Sequence, residues 1–201
     1  MTVSQLPFSQ SCENNKQPIA EVLARHIEVP ARLLEIGSGT GQHGYYFSQR
    51  FPGLHWQPSD CAENLPMIRQ WVDAAGRDNY AQPLLLDVAE PQLSSHQYDY
   101  LFSANTLHIM AWSEVEAFFQ LVPRVLRDGG LLIVYGPFNY GGAFTSDSNA
   151  QFDQWLKSRA VHQGIRDIEA VNALAAQHGL TLIEDNAMPA NNRTLVWRHQ
   201  G

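Results

Sequence analysis

The sequence is short of charge, of cysteine and of long apolar runs. Charged residues fill 16% of its 201 positions, against about a quarter in an ordinary globular chain. Lys and Arg number 13 against 20 Asp and Glu, a formal net charge of -7. The few basic residues are scattered, which excludes the continuous basic face that phosphate backbones require, so no nucleic-acid partner is expected. Cys12 and Cys61 show no paired metal-ligand spacing, and no metal site is expected. Two cysteines in a chain this long read as reduced thiols of a cytoplasmic protein. The longest strongly apolar run, around Leu131 to Tyr135, is far too short to cross a bilayer. The opening MTVSQLPFSQSCENNK has no basic start followed by an apolar segment, so neither a secretory signal nor a membrane partner is expected. Repeats and low-complexity segments are absent too. The length suits one domain, 1–201, with a sizeable core.

What is present is alternation. Residues 16–28 read as a helix, with Pro18 in its first turn and an apolar stripe at Ile19, Val22, Leu23 and Ile27. Strands are expected at 31–36, 54–57, 83–88, 98–103 and 131–135, and helices at 42–50, 63–75 and 114–127. Ser113 and Glu116 form the S-x-x-E box that opens the last of these, and Pro123 predicts a kink or an early end. Asp128-Gly129-Gly130 turns the chain into the fifth strand. The strands are apolar along their length, as parallel strands covered on both faces are. Residues 138–149, rich in Gly, Ser and Asn, read as a loop, followed by helices at 150–160 and 167–178. Strands at 180–185 and 193–198 close the chain as an antiparallel pair. The whole is an α/β fold: a doubly wound, seven-stranded sheet, mostly parallel with an antiparallel last strand, helices on both faces. Residues 1–30 form an N-terminal helical cap, and 136–166 a loop and helix over the active-site edge.

Between the first strand and its helix lies LLEIGSGTGQHGYYF, 33–47. Glycine at that density is costly to order, and a plain turn needs one rather than three alternating. In such sheets the ligand sits beyond the carboxyl ends of the strands, where the strand order reverses. GTGQHG, 39–44, also fits the dinucleotide pattern G-x-G-x-x-G, a weak motif alone. Glu35, expected to face the crevice from the strand's end, argues otherwise, because a carboxylate repels pyrophosphate and welcomes an ammonium or sulfonium. Asp60, 19 residues after Gly41, ends the second strand, where a carboxylate takes ribose hydroxyls. Asp87 ends the third, where it or the Val88 N–H meets an adenine edge. Three acids at three strand ends describe a nucleoside with a cationic tail and no phosphate.

LLEIGSGTG, PSD, LLLDV, YDYLFSANTLHI and LRDGGLLIVYGPF together resemble the successive motifs of the class I S-adenosylmethionine-dependent methyltransferases, over most of residues 16–135. SCENNKQPIAEVL, WQPSD and PANN more narrowly resemble an uncharacterised branch of them, methyltransferase-like 26 in animals and domain of unknown function 938 in bacteria. The resemblance implies a Rossmann-like fold and S-adenosylmethionine as cofactor. By it, Glu35, Gly37 and Gly39 hold the methionine part. Ser38, Gly41 and His43 count among the loop's contacts. Asp60, with Ser59 beside it, holds the ribose, Asp87 and Val88 hold the adenine, and Ser103, Ala104 and Asn105 flank the sulfonium. The stretch from Glu13 to Lys16 folds over the cofactor, with Asn15 and Lys16 in contact.

Methyl transfer from a sulfonium needs alignment and exclusion of water more than it needs a catalytic group; a base enters only where the acceptor loses a proton. His108, in NTLHI after the fourth strand, reads either as that base or as a residue packed beneath its loop. Asn105 orients an acceptor or holds backbone, and Tyr140 lines an acceptor pocket or anchors its loop. Phe138 and Phe144 read as loop anchors, and Trp56, Trp71 and Trp155 as core. Methyltransferases of nucleic-acid bases often carry Asn or Asp, Pro, Pro and an aromatic after the fourth strand. Here Asn105-Thr106-Leu107-His108 stands instead, which with the acidic charge favours a small-molecule acceptor; a monomer or homodimer is expected. The rival readings are an NAD(P)-dependent oxidoreductase and a cofactor-binding partner subunit without turnover.

Overall fold

A computed structural model describes residues 6–93 and 98–201; residues 1–5 of the expected cap lie outside the described residues. Ser9 starts α1 (Gln10–His26) by accepting a bond from the Cys12 N–H on its Oγ, 3.3 Å. The helix thus begins ahead of the expected Lys16, and Pro18 falls in its interior rather than its first turn. Then come β1 (Ala31–Ile36), α2 (Gln42–Arg50), β2 (Leu54–Asp60), α3 (Leu65–Ala75) and the very short β3 (Leu84–Leu85). The second half runs β4 (Tyr98–Ala104), α4 (Trp112–Val125), β5 (Leu126–Gly136), β6 (Phe138–Asn139), α5 (Asp147–Arg159), β7 (Arg166–Asp167) and α6 (Ile168–Gln177). It ends with β8 (Leu180–Met188), a 3-10 turn at Pro189–Asn191 and β9 (Asn192–His199).

Seven strands form one sheet in the order β3-β2-β1-β4-β5-β9-β8, while β6 and β7 pair separately. The first five are mutually parallel, and β9, slotted between β5 and β8, is antiparallel to both. Chain order reverses between β1 and β4, which fixes where a ligand crevice opens. Successive residues of each central strand feed opposite layers. Leu34, Leu101, Leu132 and Trp197 pack with α4 and α6. Leu33, Trp56, Phe102 and Ile133 pack with α1, α2 and α3. This two-sided burial is why the strands read as unbroken apolar runs.

Several boundaries depart from the sequence reading. Pairing with β1 carries β2 through Pro58 to Ser59, and pairing with β3 adds Asp60, where a stop after Gln57 was expected. The third strand shrinks to two residues because it is an edge paired on one side. The Ser113/Glu116 box is not what opens α4. The Ala111 N–H donates to Glu114 Oε2 at 2.5 Å, two residues earlier. Gly129 and Gly130 lie inside β5, where a Cβ on Gly130 would stand 2.8 Å from the Asp99 carbonyl oxygen. Among the described residues, no helix is long and apolar enough to cross a membrane.

Candidate functional site

The carboxyl ends of β1 to β4 open on a cavity of about 690 Å³. Its floor is the loop Gly37–Thr40. Gly37 has φ +76°, and a Cβ there would come within 2.8 Å of Thr106 Oγ1; Gly39, at φ +58°, also requires the left-handed region that glycine favours. The Gly37 and Ser38 N–H groups both donate to the Ser59 carbonyl at 3.0 Å, and the Gly39 N–H donates to Asp60 Oδ2 at 2.7 Å. Asp60 also accepts from the Cys61 N–H and the Asn64 side-chain amide on Oδ1, at 2.8 and 2.9 Å. The carboxylate that ends β2 therefore fixes the glycine loop while lining the cavity. Asp87 and Val88 line it after β3, and Ala104 and Asn105 at the end of β4. Asn105 stands at φ +58° with its N–H on the Tyr135 carbonyl, 2.8 Å away. Four carboxylates, Asp60, Glu63, Asp87 and Glu114, border the space, against one guanidinium, Arg159, which lies over the Trp155 ring on the far wall.

His43 and His108 also line the cavity. His43 Nε2 meets Asn15 Oδ1 at 2.7 Å, and its Nδ1 lies 3.8 Å from Cys12 Sγ. Burial, and then the Lys16 charge, push this imidazole down to about 4. His108 packs edge-on against Phe152, and burial followed by the Arg166 cation lowers it to about 4 as well. Both rings are neutral at neutral pH. Arg166 holds the wall behind His108. It donates to the Leu107 carbonyl (2.9 Å), the Met110 carbonyl and the His162 carbonyl (3.1 Å).

Other expected contacts lie elsewhere. Glu35 does not face the crevice. Leu34 and Ile36 take one side of the sheet, so Glu35 takes the other, beneath α2 and 1% exposed. There Ser38 Oγ and Trp56 Nε1 both donate to Oε2 at 2.9 Å. Burial lifts its carboxyl to about 7. Ser59 and Ser103 are wholly buried and face backbone, their hydroxyls donating to the Glu35 and Ile36 carbonyls. Gly41 caps α2 at φ +89° and packs on Ile68 and Tyr80, away from the cavity. Lys16 is drawn to Glu13 (2.5 Å) and the Tyr46 ring. Tyr140 anchors its loop by donating to Asp185 Oδ2 at 2.8 Å. Phe138 is buried as an anchor should be, but Phe144 is exposed, and Trp155 is half exposed rather than core.

Residues not singled out from sequence complete the site: Cys12, Thr106, Met110 and Glu114 line the cavity, as do Phe152 and Arg159 of α5. Phe152, Trp155, Leu156 and Arg159 follow the i, i+3, i+4, i+7 spacing of one helical face, a signal present in the sequence.

Among solved structures, the fold is similar to that of a putative O-methyltransferase from Nostoc punctiforme (TM-score 0.79, 17% identity, covering 92% of this chain and 56% of that one). It is also similar to a putative sarcosine dimethylglycine methyltransferase from Galdieria sulphuraria (0.76, 13%, 96% and 90%). A third match is human N-acetylserotonin methyltransferase in complex with S-adenosylmethionine (0.77, 14%, 96% and 53%). The shared feature is the Rossmann-like methyltransferase fold, a mostly parallel seven-stranded sheet with a reversed final strand. The chain spans just over half the length of the Nostoc and human proteins. Residues 6–199 match the family described as "Protein of unknown function (DUF938)", and the chain belongs to that family.

Proposed function

We propose that this protein is an S-adenosylmethionine-dependent methyltransferase acting on a small-molecule acceptor. The observation that carries the reading is the charge of the crevice: a glycine loop flanked by carboxylates at the ends of β2 and β3, with four acids to one guanidinium among the lining residues. A pyrophosphate gains nothing from such walls, whereas a sulfonium or ammonium does. The reversal of β9 departs equally from the all-parallel dinucleotide-binding order.

In this reading Asp60 holds ribose hydroxyls with lone pairs left over from its loop bonds. Asp87 and the Val88 N–H meet the adenine, and Gly37 to Thr40, His43 and Asn105 surround the methionine half. When bound, the cofactor supplies an electrophilic methyl on a cationic sulfur that leaves as a neutral thioether. The chain orients and encloses: Ile109 and Met110 give the cavity an apolar lip, and His108, neutral but a weak base at about 4, is the candidate to take a proton from an acceptor that has one to lose. The same reading places the protein in the cytoplasm, in keeping with two free thiols.

Calorimetry and thermal unfolding with S-adenosylhomocysteine and with NADH test the cofactor. Saturation at a hundred times Kd stabilises the folded state by about 2.7 kcal/mol, expected for S-adenosylhomocysteine alone. Stabilisation by NADH instead overturns the reading. Label transfer from methyl-labelled cofactor across a panel of small acceptors separates an enzyme from a partner subunit.

A further inference from the structure

A second cavity, of about 330 Å³, adjoins the first. Ser11, Asn105 and Phe152 line both, so the two spaces meet at Asn105. Five side-chain amides line it, those of Asn14, Asn15, Asn105, Asn149 and Asn192, and no Asp, Glu, Lys, Arg or His is among its lining residues. Two of the stretches singled out in the sequence converge here: Asn14 and Asn15 from SCENNK, whose Ser11 and Cys12 also line the first cavity, and Pro189, Ala190 and Asn192 from PANN.

The amides are partly committed, and what remains is a mixed set. Asn149 donates its Nδ2 to Thr145 Oγ1 (2.9 Å) and the Asn191 carbonyl (3.2 Å). Asn192 donates to the Pro189 and Ala190 carbonyls at 3.2 and 3.4 Å. Their amide oxygens stay available as acceptors. Asn14 accepts from Gln10 on Oδ1 at 2.8 Å, which leaves its N–H groups as donors. The Asn105 side chain has no partner among the described residues, so it offers both. Phe152, Pro137 and Pro189 supply apolar surface. Tyr135 contributes a phenol that burial pushes further above the ordinary tyrosine value.

We infer that this second cavity is the acceptor chamber, and that it takes an uncharged polar small molecule with both hydrogen-bond donors and acceptors. The inference rests on the methyltransferase reading for the word acceptor, but the ligand chemistry follows from the lining alone. A charged ligand desolvated among these groups would find no counter-ion; a neutral one has both its edges matched.

The test uses the full chain saturated with S-adenosylhomocysteine and three sets of fragments on the same aromatic rings: carboxamides, carboxylates and aminomethyl cations. The readout is the side-chain amide resonances of Asn105, Asn149 and Asn192. Carboxamides are expected to shift these signals, and Asn149→Leu or Asn192→Leu to weaken them about five- to ten-fold, with S-adenosylhomocysteine affinity unchanged as proof of folding. The inference is overturned if the charged fragments shift the signals as strongly, if no carboxamide does, or if both folded leucine variants bind normally. Carboxamide binding in a protein that ignores S-adenosylhomocysteine would keep the chamber's chemistry and defeat the cofactor reading. The reverse pattern would defeat the chamber alone.

Discussion

Replacing Glu35 with Gln tests the internal electrostatics of the glycine loop. The carboxyl is buried under α2 and lifted from 4.5 to about 7. The native state therefore holds a proton that the unfolded chain releases from about pH 4.5 upward. In that window the folded protein binds one more proton than the unfolded chain, so stability falls as pH rises. A lift of about 2.5 pH, at ~1.36 kcal/mol for each, makes the loss about 3 kcal/mol. It is fully absent below pH 4.5 and complete once pH has passed 7. Gln keeps an amide oxygen for the Ser38 hydroxyl and the Trp56 N–H, both 2.9 Å from Oε2 in the wild type, and has no proton to lose. Denaturant unfolding of wild type and Glu35→Gln at pH 4.5, 6 and 8.5 isolates this one group, since the other titrations cancel in the difference. Glu35→Gln is expected to gain about 3 kcal/mol on the wild type between the first pH and the last. A difference independent of pH, or one that grows as pH falls, refutes the buried, protonated Glu35.

Asp60→Ala should weaken S-adenosylhomocysteine about ten- to a hundred-fold, because it removes charged hydrogen bonds and frees the Gly39 N–H; calorimetry reads it, and unchanged affinity removes Asp60 from the site. Gly44→Ala places a Cβ 2.5 Å from the Tyr80 ring and should cost about 1–3 kcal/mol of stability by chemical denaturation; a wild-type midpoint would show that Tyr80 yields freely. His108 should titrate near pH 4 by NMR and move upward in Arg166→Gln, since the guanidinium is one of the two causes that hold it down. Because its folded value lies below 6.5, the stability it contributes is present above that pH and is lost as pH falls toward 4. A midpoint near 6.5 in the wild type contradicts its burial.

The course of the chain from β1 to β5 was legible because glycine, proline and apolar runs mark turns and two-sided strands directly. The reversed β9 was legible from two strands with only a short turn between them. Side-chain direction was not. Glu35 sits at a strand end, and its face follows from strand parity relative to a cavity whose side the sequence does not declare. The start of α1 was hidden because Ser9 caps it without an acid three residues on; Cys12 stands there. The partners of Lys16 and Tyr140 were hidden for a common reason. Each found a carboxylate, Glu13 or Asp185, nearer than the cleft. The second cavity could not be read at all, since its amides come from α1, the β4 end, α5 and the β8–β9 turn, which only the folded sheet brings together.

Arg166 ties the segment that follows α5 to the loop that precedes α4 by bonding carbonyls on both. A rivet of that kind leaves the two walls of the cleft little freedom to breathe separately. Whatever stiffens the Leu107–Met110 side must also stiffen the trailing end of α5, and by reciprocity the reverse holds. Two walls of the first cavity are thereby joined through one planar cation that is not itself among the residues lining it.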